Sequence, residues 1–123
     1  MKVSPYIFFA GNCKEAITFY KSVFGVSVNM YENPENPDLV YHAEFALGAS
    51  TVMMSDGMED MGKNGNIMLT INFEEGEKQK VAAAFEALSV GGVVTMPMDA
   101  VPWSKCYGMV TDKFGIQWII NQD

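Results

Sequence analysis

The chain has 123 residues, 49% of them hydrophobic and 12% aromatic, with a formal net charge of −7. That suffices for one domain with a packed core and is too apolar for a disordered tail. The acidic balance excludes phosphate backbones and anionic membranes as natural partners, and no run approaches the ~20 apolar residues of a membrane span. Cys13 and Cys106, with no CxxC spacing, form no disulfide framework and read as reduced thiols. No cleavage site follows the short apolar run after Lys2, so a cytoplasmic location is expected.

Tyr6-Ile7-Phe8-Phe9 is apolar at every position and reads as a strand covered on both faces. Gly11-Asn12 breaks it. Asn12 with Glu15 three residues on predicts a variant capping box for a helix whose apolar stripe is Ala16, Ile17, Tyr20, Val23 and Phe24. Gly25 is placed for a left-handed C-cap. Val26–Tyr31 alternates as an outer strand, and the Pro34 and Pro37 loop leads into a strand over 39–47. There Tyr41, Ala43, Phe45 and Leu47 share one face, with His42 and Glu44 on the other. Gly48-Ala49 turns the chain into a strand over 50–55.

Asp56–Asn66 lacks periodicity and is rich in turn residues, as a linker would be. Then the pattern restarts. A strand runs from Ile67 to Phe73, Glu74-Glu75 open a helix with stripe Val81, Ala84, Phe85 and Leu88, and Gly91-Gly92 closes it. A short strand over 93–96 is limited by Pro97. Another lies near Trp103–Tyr107, and the last spans 116–121. Each half thus reads βαβββ. Matching Pro5 with Asn66 gives an offset of 61 (66 − 5), about half the chain. The expected fold class is α+β, with module one over 1–56, a linker over 57–65 and module two over 66–123. The two modules would curl a mixed sheet around a cleft, with both helices on the convex face.

The chain resembles the glyoxalase/bleomycin-resistance/dioxygenase (vicinal oxygen chelate) superfamily, and within it the PhnB-like branch. The resemblance rests on PYIFF with Gly11-Asn12-Cys13 and Glu15-Ala16, on Phe19-Tyr20 and Phe24-Gly25, and on MMSD at 53–56. VTDKFG at 110–115 with Trp118 continues it. It implies a homodimer. It also implies a divalent metal held by His or Gln at the start of each module's first strand and by Glu on its last strand, acting as a Lewis acid. At those positions this chain has Pro5, Asn66, the stretch Thr51–Met54 and Ile119, so the usual metal set is absent and no cofactor is expected. Some PhnB-like relatives carry a demethylubiquinone methyltransferase label. Here no glycine-rich strand-to-helix turn supports it. The phosphonate connection of the branch name likewise meets no anion-binding cluster.

His42 and Glu44, two apart on one strand face, are the candidate catalytic pair, a base and its orienting carboxylate. The bland alternative is a half-buried polar pair on a strand. Face counting from the Pro5–Asn66 match puts Ile7 and Phe9, Met68 and Thr70, and Gln117 and Ile119 toward the cleft. Tyr6 and Phe8, with Ile67, Leu69 and Ile71, would pack beneath the helices. Ten methionines add soft, adaptable surface or ordinary core. Candidate ligand-binding residues are Phe9, His42, Glu44, Met54, Met68, Trp103, Lys105 and Tyr107. The favoured function is metal-free binding of a small apolar or aromatic molecule. The alternatives are a lyase, isomerase or dioxygenase built on His42 and Glu44, or a dimer with an interaction role only.

Overall fold

The structure, a computed structural model, describes residues 3–57 and 67–122. The chain divides into two compact units, Met1–Lys63 and Asn64–Asp123, each with one helix and one four-stranded mixed sheet. Both are βαβββ modules, as the repeat in the hydrophobic pattern predicts.

In the first unit β1 (Tyr6–Phe9), α1 (Cys13–Phe24), β2 (Asn29–Glu32), β3 (Val40–Leu47) and β4 (Ser50–Asp56) give the sheet order β1-β4-β3-β2. β1 runs parallel to β4, and the other pairs are antiparallel. The helix buries Cys13, Ala16, Ile17 and Tyr20, an i, i+3, i+4, i+7 stripe. Tyr20 and Phe24 stack on Phe45 of β3, with ring centroids 6.4 and 6.1 Å apart. Phe45 lies opposite Val52, and Ala43 and Ile7 flank Met54, so one face carries all of these under α1. With Phe9 they are no more than 8% exposed. Each large side chain so buried contributes about 1.5–3 kcal/mol.

The parity of β1 is the reverse of that expected. Ile7 and Phe9 lie in the core, whereas Tyr6 and Phe8, expected beneath the helix, are 37% and 40% exposed. A run of four apolar residues has no polar alternation to mark its outer face, and a one-residue error turns every side chain over.

The N-terminus of α1 also departs from expectation. Asn12 makes no side-chain cap. Instead the Asp56 carboxylate accepts from the Gly11 and Cys13 N–H groups at 2.8 and 3.0 Å through Oδ1, and from Val40 N–H at 2.9 Å through Oδ2. A charged acceptor at the positive end of the helix satisfies donors that would otherwise be orphaned. Asp56 is therefore the end of β4 and not the start of the linker; the rest of that stretch from 58, with Asn66, lies outside the described residues. The C-cap is as expected: Gly25, at φ 63° and ψ 37°, donates to the Lys21 carbonyl.

The second unit repeats the plan with β5 (Leu69–Phe73), α2 (Lys78–Ser89), β6 (Val93–Val101), β7 (Ser104–Thr111) and β8 (Gln117–Gln122), in sheet order β5-β8-β7-β6. Val81, Ala84 and Leu88 are the buried stripe of α2. Leu69 and Ile71 pair with Trp118 and Ile120, and Val110 with Trp118, which sets the helix-covered face as expected for Leu69 and Ile71; Ile67, expected with them, precedes β5 and is 64% exposed. A Cβ on Gly108 would fall 2.9 Å from a ring carbon of Phe85 and 2.5 Å from Met98 Sδ, so a side chain there would have to displace one from α2 and one from β6. β6 continues through Pro97 to Val101, longer than expected. It is an edge strand with register shifts on both sides of Met96 and again beyond Asp99, where a proline removes no ladder bond the sheet depends on. The DKFG turn is pinned by Asp112, which accepts from Phe114 N–H, Ile116 N–H and the Trp118 indole N–H at 2.9, 3.0 and 2.8 Å. Both helices have 12 residues, and none among the described residues is long and apolar enough to cross a membrane.

Candidate functional site

The uncovered face of the first sheet gathers side chains from all four strands. Tyr6 sits beside Met53, Met53 opposite Glu44, and Tyr31 opposite His42, so these residues project to one side together with Phe8. The His42 imidazole is at their centre. Its Nε2 lies 3.2 Å from Glu44 Oε2, and its Nδ1 lies 3.2 Å from the Tyr6 hydroxyl. Tyr6 and Tyr31 bracket the imidazole, with centroids 5.8 and 6.5 Å away, and Phe8 stacks on Tyr6 at 4.5 Å. The His42 and Glu44 side chains are 34% and 43% exposed, reachable by a ligand and partly screened by the rings.

Hydrogen-bond chemistry orders this chain of groups. A carboxylate offers acceptors only, so Nε2–H of His42 donates to Glu44. In the neutral imidazole Nδ1 is then an acceptor and takes the Tyr6 hydroxyl proton. Both ring nitrogens are engaged, leaving the Tyr6 oxygen lone pairs and the rest of the Glu44 carboxylate to face outward.

The other expected site residues fall elsewhere. Phe9 and Met54 lie on the helix-covered face at 5% and 0% exposure and pack the core. Met68 is half-buried just ahead of β5. Trp103, 68% exposed at the β6–β7 turn, meets Tyr107 edge to face at 5.5 Å. Lys105 pairs with Glu75 at 3.5 Å. A depression of about 540 Å³ at this hairpin is lined by Ala100, Val101, Pro102, Trp103, Ser104 and Lys105, whose only charge is already paired across the surface. The sequence reading missed Tyr6, Phe8 and Tyr31. A usable signal was there: a tyrosine buried under a helix needs a partner for its hydroxyl, and none was in prospect beneath α1.

The remaining titratable groups serve the fold. Burial, and after it the neighbouring Asp56 carboxylate, push the Cys13 thiol up from 9.0 to about 12, so it is no thiolate nucleophile. The donor chemistry does not fit the resident metal of the fold family. Pro5 and Ile119 have no side-chain donor atom, and among the described residues no group of three His, Cys, Asp or Glu side chains is placed to hold an ion. His42 and Glu44 supply two ligands where a catalytic zinc takes about three.

The family model for 3-demethylubiquinone-9 3-methyltransferase matches residues 1–121. The chain belongs to this family. Protein YjdN of Escherichia coli K12 is 31% identical over 140 residues, covering 98% of this chain and 95% of its own length. Protein PA1353 of Pseudomonas aeruginosa superposes with a TM-score of 0.86 at 30% identity, covering 100% of this chain and 99% of its own. A PhnB protein from Bacillus cereus does so at 0.82 and 25%, with both chains fully covered. Glyoxalase-related and fosfomycin-resistance proteins share the fold at below 20% identity. The PhnB-like branch of the glyoxalase fold is thereby shown. The β1–α1 turn is no cradle for a nucleotide-type cofactor: it has one glycine, Gly11, and its N–H and that of Cys13 already bond Asp56.

Proposed function

We propose that the protein binds a small aromatic or apolar molecule on the uncovered face of its first sheet. The observation that carries this reading is the grouping of Tyr6, Phe8 and Tyr31 around the His42–Glu44 pair, three large rings at 37%, 40% and 62% exposure beside fixed polar groups. Leaving aromatic surface in water is costly, and rings next to a few directed polar atoms are the usual composition of a ligand site. The homodimer implied by the PhnB resemblance remains part of the proposal.

The test is thermal stabilisation by a panel of small aromatics, phenol, indole and toluene among them, with and without chelator. A ligand at a hundredfold excess over its dissociation constant adds about 2.7 kcal/mol. Replacing Phe8 and Tyr31 together by Ala removes that stabilisation if the reading holds. A panel that never raises Tm, or a double variant that binds as well as the parent, refutes it.

The enzymatic reading draws on the same two 3.2 Å contacts. With both nitrogens of His42 engaged, proton abstraction from a substrate runs through the Tyr6 hydroxyl, which passes its own proton to His42 Nδ1 as it takes the substrate's, while Glu44 orients the ring. A His42→Ala variant that folds and binds but no longer turns over a bound compound supports it; retained turnover ends it.

A further inference from the structure

The polarity of the site specifies the charge of its ligand. We infer that the preferred ligand is an organic cation, an amine carried on an aromatic or apolar body; this rests on the binding reading above.

Three observations agree. The first is the direction of the hydrogen bonds. Because Tyr6 gives its proton to His42 Nδ1 and His42 gives its Nε2 proton to Glu44, the cluster turns only acceptors outward: the lone pairs of Tyr6 Oη and the Glu44 carboxylate. Among the described residues no lysine bonds that carboxylate, and His42 is its hydrogen-bond partner. A ligand whose polar end only accepts would meet acceptor against acceptor; one with N–H donors is satisfied.

The second is the ring arrangement. Tyr6 and Tyr31 flank the His42 ring that Glu44 partners, and Phe8 stacks on Tyr6, so negative π faces that attract a cation stand beside the pair. Glu44 lies level with Met53 on one side and Asn29 on the other, so no fixed positive charge stands beside it on this face. The third is the distribution of positive charge. The chain has no arginine, and its eight cations are all lysines. In the described part of the first unit these are Lys14 and Lys21, both on α1, with Lys14 bound to the Pro37 carbonyl at 2.6 Å. An anionic ligand would thus lack the planar, bidentate donor such groups require, and the net charge of −7 disfavours it at long range.

The experiment compares three probes of nearly equal size by calorimetry or NMR titration: 2-phenylethylammonium, 2-phenylethanol and phenylacetate. The cation is expected to bind about tenfold more tightly than the alcohol, as a charge-assisted hydrogen bond with a cation–π contact provides. Phenylacetate is expected to bind most weakly. Glu44→Gln, at a half-exposed position, weakens the cation more than the alcohol and brings the cation-to-alcohol ratio close to one. A parent protein that binds alcohol or phenylacetate as well as the cation overturns the inference but leaves the binding reading standing. Binding of none of the three removes both. A Glu44→Gln variant with an unchanged ratio overturns the assignment of the charge to Glu44.

Discussion

Asp56 is the residue whose loss should be felt furthest from its own position. Its carboxylate ties three chain segments together: the turn before α1 through Gly11, the first turn of α1 through Cys13, and the start of β3 through Val40. Asp56→Asn keeps the shape but exchanges one acceptor oxygen for a donor amide. If the amide oxygen stays with Gly11 and Cys13, the NH₂ faces Val40 N–H, donor against donor. If it flips, two donors are orphaned in place of one. A hydrogen bond to a charged group contributes about 1.5–3 kcal/mol, and an orphaned buried N–H costs about 1–3 kcal/mol more. The less costly orientation therefore loses about 2.5–6 kcal/mol. For a chain of this length that is a fall of about 10 °C or more in Tm. Thermal unfolding followed by far-UV circular dichroism reads it directly. A variant within a degree of the parent would refute the view that Asp56, and not Asn12, holds the entry to α1.

Two further outcomes follow from the core. Cys13 keeps its proton in the folded state up to about 12 against 9.0 for a free thiol, so its contribution is intact below pH 9 and is lost as pH rises from there. The parent should lose about 1 kcal/mol more than Cys13→Ala between pH 8 and pH 10 in urea titrations; parallel curves would contradict the assignment. Gly108→Ala forces a methyl group against Phe85 and Met98 and should cost about 1–3 kcal/mol, read as a lower urea midpoint with the slope unchanged. A neutral result would show that Met98 gives way freely.

Much of the fold was legible because its signals are local. The stripe from Ala16 to Phe24, the αL glycine after it and the alternation of Thr70 and Asn72 with Leu69, Ile71 and Phe73 each mark an element without help from the rest of the chain. The cap of α1 was not legible. Asn12 and Glu15 satisfy the local rule for a capping box, but a carboxylate 43 residues beyond Cys13 in the sequence takes the N–H groups first. A charged acceptor fixed at the end of a paired strand outcompetes a neutral side chain that must be ordered for the purpose. Likewise Pro97 stops a central strand but not an edge one, and edge position is a property of the sheet, not of the segment.

The site was half legible, and the missing half comes down to parity. His42 and Glu44 stand out because they interrupt an apolar strand, and the structure links them. Their aromatic neighbours on β1 were assigned to the wrong face through the match of Pro5 with Asn66, an offset of 61 (66 − 5). Strand side chains alternate with period two, so a match that is off by an odd number of residues turns the face over. The paired registers correct it by three residues (64 − 61). Phe9 beside Asp56 ends the parallel pair in the first unit, and Phe73 beside Gln122 ends it in the second, an offset of 64 (73 − 9). By that match Pro5 is level with Leu69 and shares the helix-covered parity of Ile7 and Phe9. Residues facing outward from β1 are then Tyr6 and Phe8, the counterparts of Thr70 and Asn72. Where the second module presents a hydroxyl and an amide, the first presents two aromatic rings leading to His42. That difference between the copies locates the candidate ligand site on the first sheet.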